Sequence, residues 1–235
     1  MTKRKNGDDK EKKRRWMMRV SLLQKLFVVL FVVTMIATPV FAGSEFGPRI
    51  PAEYIAVTGA GESDDGIPPD PYETFSYDLA LLEAGIENFN VVYYTSVLPP
   101  ESYEVPIESV RASFHHGAVL ETIMAKAGGV KGDTVTAGVG RVWAVDEAGK
   151  EIGGFAAEYE RIYKGQSVSS ETAAEDATKQ LTRSLQHELD IRGLKQQGEM
   201  KFDVKSLRIR KNYGIAISAL GFINFIYPDQ ISAGE

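Results

Sequence analysis

The stretch Asn88 to Glu101, N-F-N-V-V-Y-Y-T-S-V-L-P-P-E, places a hydroxyl pair, Thr95 and Ser96, inside an apolar run that Pro99 and Pro100 stop. Apart from that pair, Val91 to Leu98 is β-branched, aliphatic or aromatic, so it reads as a buried strand ended by the prolines. Hydroxyls buried in a strand need hydrogen-bond partners, because leaving one unpaired costs about 1–3 kcal/mol. On one reading Thr95 and Ser96 have such partners and are structural. On the other, Ser96 Oγ adds to the Thr95 carbonyl, the amide becomes an ester, β-elimination splits the backbone, and hydrolysis leaves a pyruvoyl group at position 96. Such a group is an electron sink that requires no lysine.

Upstream, E-Y-I-A-V-T-G-A-G-E-S reads as a strand from about Tyr54 to Val57 running into a glycine turn. Gly59 and Gly61 do not make a phosphate cradle, since no third glycine completes the pattern and no Gly-Lys-Ser/Thr follows. Ile67 to Tyr72, I-P-P-D-P-Y, reads as an extended loop. Tyr77 to Gly85 reads as a short helix with Leu79, Leu82 and Ile86 on one face. Asn88 and Asn90 are turn formers that lead into the apolar run.

Downstream, His115 and His116 precede another apolar segment. The only further histidine is His187, and no metal-ligand spacing is present, so the histidines read as structural and no metal is expected. Val135 to Val145 and Ile152 to Tyr163 read as a hairpin around D-E-A-G-K. Alternation on its second strand puts Glu158 and Glu160 on one face and Tyr159 on the other. Ser169 to Arg192 is the clearest helix: S-S-E-T caps it, Ala173, Ala177, Leu181, Leu185 and Leu189 recur at four-residue steps, and Gly193 closes it. Ile215 to Ile226 fits a final buried strand. The pattern is that of an α+β chain.

The chain of 235 residues allows one domain plus an appendage, and without cysteine it has no disulfide and no thiolate chemistry. Residues 1–42 carry ten Lys/Arg against three Asp/Glu, which leaves 17 basic and 29 acidic residues for the remainder. A body this acidic does not suit a nucleic-acid partner. The basic head ends at Lys25, and the 17 residues from Leu26 to Ala42 are predominantly apolar. Residues 1–42 read as a signal peptide cut before Gly43, or as an uncleaved membrane anchor; a shorter leader of ordinary length would begin at Met17 or Met18. Export places the protein on the outer side of the cytoplasmic membrane, and a mis-assigned start would leave it in the cytoplasm. Residues 43–50 read as a linker and 51–235 as the domain.

The segments G-E-S-D-D-G-I-P-P (Gly61 to Pro69), F-S-Y-D-L-A-L-L-E-A-G-I-E-N-F-N (Phe75 to Asn90), Y-T-S-V-L-P-P-E (Tyr94 to Glu101) and F-H-H-G-A-V-L-E-T-I-M-A (Phe114 to Ala125) resemble pyruvoyl-dependent arginine decarboxylases, in particular the chlamydial form. The similarity continues through G-F-A-A-E-Y-E (Gly154 to Glu160), S-L-Q-H-E-L-D-I-R (Ser184 to Arg192), I-R-K-N-Y-G (Ile209 to Gly214) and A-L-G-F-I-N-F (Ala219 to Phe225). The long leader is a departure from those relatives.

The resemblance implies a four-layer αββα sandwich, self-cleaved between Thr95 and Ser96 into a β chain of about 43–95 and an α chain of 96–235. It implies trimers or pairs of trimers with active sites between protomers. The implied cofactor is a covalent pyruvoyl group from Ser96, with no pyridoxal phosphate and no metal. The implied reaction converts L-arginine to agmatine and CO2. By the same resemblance Asn90 positions the scissile carbonyl, Glu158 is the proton donor and Asp78 pairs with the substrate guanidinium. Proton consumption in the reaction suits acid resistance or arginine catabolism. Two other readings are a pyruvoyl decarboxylase for a different amino acid, and an exported ligand-binding relative without catalysis.

Overall fold

A computed structural model describes residues 48–65, 73–165 and 168–227. The leader and the Pro-rich loop Ile67 to Tyr72 lie outside these residues. In chain order the strands are β1 (Ile50–Pro51), β2 (Glu53–Ser63), β3 (Asn90–Tyr93), β4 (Val97–Leu98), β5 (Tyr103–Glu104), β6 (Val119–Val130), β7 (Thr134–Val145), β8 (Glu151–Tyr163), β9 (Lys195–Arg208), β10 (Tyr213–Phe222) and β11 (Phe225–Ile226). Two long helices, α1 (Glu73–Ala84) and α2 (Ser170–Asp190), complete the frame.

The strands form a five-stranded sheet in the order β3-β6-β10-β2-β5, a four-stranded sheet in the order β4-β8-β7-β9, and a β1-β11 pair. Ile50, read from sequence as the end of the linker, is paired with Ile226. The expected hairpin is the antiparallel β7-β8 pair, from Thr134 opposite Tyr163 to Val145 opposite Glu151.

Alternation along the strands sends apolar side chains to both faces, so each sheet needs two covers. Between the sheets lie Tyr54, Ile123, Ala125, Val135, Val139, Leu220 and Phe222. On the outer face of the five-stranded sheet, Ile55, Val57, Ile215 and Ile217 pack against Ala80, Leu81 and Ala84 of α1. On the outer face of the four-stranded sheet, Val142, Ala144 and Phe155 pack against Leu181, Leu185 and Leu189 of α2. The layers are therefore helix, sheet, sheet, helix.

The α2 expectation matches in detail: Ser169 Oγ accepts the Thr172 N–H, the five residues at four-residue steps are buried, and Gly193 has a φ of 64°. The α1 expectation fails on its face. Ala80, Leu81 and Ala84 are buried while Leu79 and Leu82 are exposed, because α1 lies so close to β2 that the face meeting the sheet carries mainly small residues. The glycine turn is corrected for the same reason. Gly59 and Gly61 stand inside β2, where a Cβ would lie 2.0 Å from the Ala80 carbonyl oxygen and 2.1 Å from that of Ser76. On the other sheet Gly138 and Gly140 play the milder version of this part, beneath Leu181 and Leu185 of α2.

Among the described residues, one cation is buried. Arg141, 2% exposed, donates to Glu104 at 2.7 Å and to Asp203, and Lys201 reaches Glu104 at 3.0 Å. Burial opposes the Glu104 charge, but the hydrogen bonds from Arg141 and Lys201 outweigh it and hold the carboxyl below its ordinary range.

Gly59→Ala forces α1 off β2. It should lower stability by about 1–3 kcal/mol or more, read as a fall in the urea midpoint. An unchanged midpoint would mean that the helix does not rest on this glycine.

Candidate active site

The run Val91 to Leu98 is not one buried strand. β3 pairs in parallel with β6, from Asn90 opposite Val119 to Tyr93 opposite Thr122, and the Tyr94 N–H extends that ladder to the Thr122 carbonyl at 2.7 Å. Beyond it the chain crosses to the other sheet, where Val97 and Leu98 pair with Phe155 and Gly154 of β8. Val92, Tyr93 and Val97 are exposed, and only Leu98 is fully buried. A single strand cannot join two facing sheets without leaving one ladder, so the run divides at Thr95 and Ser96. Thr95 is exposed and Ser96 half-buried, which also removes the expectation of two buried hydroxyls.

The crossing is a tight turn centred on Ser96. The Val97 N–H donates to the Thr95 carbonyl at 3.1 Å, and the Ser96 carbonyl accepts the Ala156 N–H at 2.9 Å. No described non-glycine residue has a positive φ, so this is the inverse form of the three-residue turn, available to an L-residue without strain. Close approach of β4 to β8 depends on Gly153 at a φ of 111°, where a Cβ would stand 2.5 Å from the Leu98 carbonyl oxygen.

The Ser96 hydroxyl donates to the Glu158 carboxylate, with Oγ 2.8 Å from each of its oxygens. Glu158 shares with Ala156, and with Val139 opposite it on β7, the face of β8 that looks toward the five-stranded sheet, yet its side chain is exposed; alternation correctly groups it with Glu160 and opposite Tyr159. Its neighbour on that face, Glu160, instead accepts the Lys126 N–H of β6 at 2.7 Å. A cleft of about 390 Å³ opens on this pair, with Thr95, Phe155, Ala156 and Ala157 on one side and Ser184, Glu188 and Arg192 on the other. The Arg192 guanidinium pairs with Glu188 and lies 4.6 Å from the Phe155 ring centroid. Ser184, Glu188 and Arg192 were missed by the sequence reading, which followed only the buried stripe of the helix. Their own four-residue spacing is the signal that places them on one face.

Asn90 and Asp78 do not line this cleft. The Asn90 side chain donates to the Gly117 carbonyl at 2.8 Å, and the residue begins β3 five positions before Thr95. At a strand's rise of about 3.3 Å per residue, that puts it on the order of 16 Å from the scissile carbonyl. His116 Nδ1 contacts Asn88 Oδ1 at 3.1 Å in the same loop, and His115 Nδ1 contacts the His116 carbonyl at 2.9 Å. Asp78 stands exposed on α1, on the outer face of the five-stranded sheet, beside exposed Phe75, Leu79 and Leu82. Among the described residues, no group of three or more His, Cys, Asp and Glu comes together as a metal site would require.

The family model for pyruvoyl-dependent arginine decarboxylase (PvlArgDC) matches residues 53–227. The chain belongs to the pyruvoyl-dependent arginine decarboxylase family. It is 45% identical over 192 residues to the pyruvoyl-dependent arginine decarboxylase AaxB of Chlamydia abortus, covering 80% of this chain and 98% of that protein. It is likewise 45% identical to AaxB of Chlamydia trachomatis serovar L2, over 77% of this chain and 94% of the relative. An archaeal relative, pyruvoyl-dependent arginine decarboxylase 2 of Archaeoglobus fulgidus, is 33% identical over 55% of this chain and 78% of its own length. The cofactor of this family is a covalent pyruvoyl group in place of pyridoxal phosphate. The residues present fit it: a serine whose hydroxyl meets a carboxylate, whose preceding carbonyl already receives an N–H, and on which a cleft opens.

Proposed function

We propose that the chain cuts itself between Thr95 and Ser96 and then decarboxylates L-arginine to agmatine and CO2. The observation that carries this reading is the turn at Ser96, where nucleophile, carboxylate and carbonyl donor meet. Glu158 accepts the hydroxyl proton of Ser96, which raises the nucleophilicity of Oγ. The Val97 N–H points at the carbonyl oxygen on which negative charge grows when Oγ attacks. Attack closes a small ring through Ser96 N, Cα and Cβ. The C–N bond then breaks, leaving Thr95 esterified to Oγ and the Ser96 nitrogen free. Loss of the Ser96 Cα proton and of the Cβ–Oγ bond releases Thr95 as a carboxylate, and water exchanges the nitrogen for oxygen with release of ammonia.

The pyruvoyl group supplies the sink for the electron pair that departing CO2 leaves behind. Glu158, at the same position, returns a proton to the substrate Cα. Phe155, Ala156 and Ala157 give the cleft an apolar wall that keeps water from the reacting carbon. Asp78 pairs with the guanidinium, the fork-to-carboxylate geometry that selects arginine.

Asp78 and Asn90 act on the Ser96 of a neighbouring protomer, in a trimer or a pair of trimers. Support comes from the distance between Asn90 and Ser96 within one chain, from Asp78 not lining the cleft at Ser96, and from Phe75, Leu79 and Leu82, an exposed apolar stripe around Asp78 that suits a protein contact. Residues 1–42 direct export, and each turnover consumes a proton, which fits a role in acid resistance.

Intact mass under denaturing conditions tests the cleavage. The wild type should give two chains ending at Thr95 and beginning at a pyruvoyl-converted Ser96, whereas Ser96→Ala should give one uncut chain and no CO2. A smaller chain that starts at Gly43 would identify a removed leader. An uncut, ligand-binding wild type would replace the enzyme reading with that of a binding relative.

Glu158→Gln should lower decarboxylation by about 10²- to 10⁴-fold in chains that mass spectrometry shows to be cut, and near-normal turnover would remove the proton-donor role. Asp78→Asn should lower kcat/KM for arginine by about 10- to 100-fold, with a smaller change for an amino acid that lacks the guanidinium. Retained arginine selectivity would reassign the guanidinium site.

A further inference from the structure

The upstream side of the scissile bond is held by groups that the chemistry above leaves unused. The Tyr94 hydroxyl donates to Glu121 Oε2 at 2.6 Å, and the Arg49 guanidinium donates to Glu121 Oε1. Glu121 is only 8% exposed, and the two donors meet one carboxyl oxygen each. Burial, reinforced by the Glu121 carboxylate, pushes the Tyr94 phenol up to about 12, so it remains a neutral donor. The Tyr94 ring lies 5.7 Å from that of Phe222, and the Arg49 guanidinium stands 4.5 Å from the Phe225 ring centroid. Both side chains are thus oriented by the carboxylate and braced by aromatic rings.

Arg49 shares a second cleft, of about 480 Å³, with Tyr93, Tyr94, Thr95 and Val97, and among the described residues that line it Arg49 is the one charged group. Self-cleavage changes the electrostatics there. A base takes the Ser96 Cα proton, its electron pair forms the Cα–Cβ double bond, and the Cβ–Oγ bond breaks with Oγ leaving on Thr95. A neutral carbonyl thereby becomes a carboxylate at the edge of a cleft that presents one cation. A guanidinium has five N–H donors, and the contact with Glu121 Oε1 uses one of them. Arg49 also precedes residues 53–227, which the family model matches.

We propose that Arg49, oriented by Glu121 and Tyr94, receives the Thr95 carboxylate that cleavage creates and anchors the cut end of the β chain. This rests on the reading that the chain cuts between Thr95 and Ser96. The charge on the leaving oxygen is already growing as Cβ–Oγ breaks, so the same contact speeds elimination from the ester. Attack by Ser96 Oγ comes earlier and does not require it.

Hydroxylamine cleaves esters and leaves amides intact, so it separates the two steps. In newly made Arg49→Met protein the hydroxylamine-sensitive ester should accumulate, with elimination slowed on the order of tenfold or more, while Arg49→Lys should restore most of the rate. Elimination at the wild-type rate in Arg49→Met, with no ester detected, would overturn the inference and leave the cleavage reading intact. A wild type that never cuts would instead sink the cleavage reading. A crystal structure of the cut wild-type enzyme is independent of how the variants fold. A Thr95 carboxylate within hydrogen-bond distance of Arg49 is the expected result, and one turned away into solvent overturns the proposal.

Discussion

The obligation of every backbone N–H and C=O to find a partner shapes this molecule most strongly where the chain passes from one sheet to the other. Up to Tyr94 the ladder with β6 satisfies the backbone; from Val97 the ladder with β8 does. Between them the chain satisfies itself with a turn in which the Val97 N–H meets the Thr95 carbonyl, while Ala156 takes over the Ser96 carbonyl. The bond proposed to break is therefore located where neither sheet reinforces it. The donor that completes the turn also points at the oxygen on which charge would develop in the proposed cleavage.

The four layers serve this crossing by fixing both of its banks. Helix α2 presses on β7 and β8 from outside, and its leucines rest above Gly138 and Gly140. Its exposed side supplies the Glu188–Arg192 wall of the cleft. Helix α1 lies on the opposite outer face, close enough to β2 that only glycine fits beneath Ser76 and Ala80. Close approach of that kind turns Leu79 and Leu82 outward and leaves Asp78 among exposed apolar side chains. One geometric fact, the depth at which α1 sits, connects the fold to the surface through which protomers would share a site.

The two carboxylates near the scissile bond work in different surroundings. Glu158 is exposed on β8 and meets the Ser96 hydroxyl, whereas Glu121 is buried and holds Arg49 and the Tyr94 phenol. Solvent access gives the first a route for exchanging protons. Burial gives the second two fixed hydrogen-bond partners, which suits positioning.

Local pattern was sufficient wherever neighbours in sequence decide the outcome. The β7-β8 hairpin, the Ser169 cap, the buried stripe of α2 and the shared face of Glu158 and Glu160 follow from periods of two and of about 3.6, which operate within a single element. The family was legible as well, because its residues recur in ordered segments on both sides of Thr95 and Ser96. Only the tertiary structure divided Val91 to Leu98 between two sheets, since a β-branched run is equally suited to either ladder. It also decided that Gly59 and Gly61 lie under a helix and not in a turn, and that α1 buries alanines and not Leu79 and Leu82. Finally, it joined Ser96 to Glu158 and Tyr94 to Glu121 while leaving Asn90 and Asp78 outside the cleft at Ser96. These outcomes depend on backbones that approach each other from distant parts of the chain, and no window of neighbouring residues contains that distance.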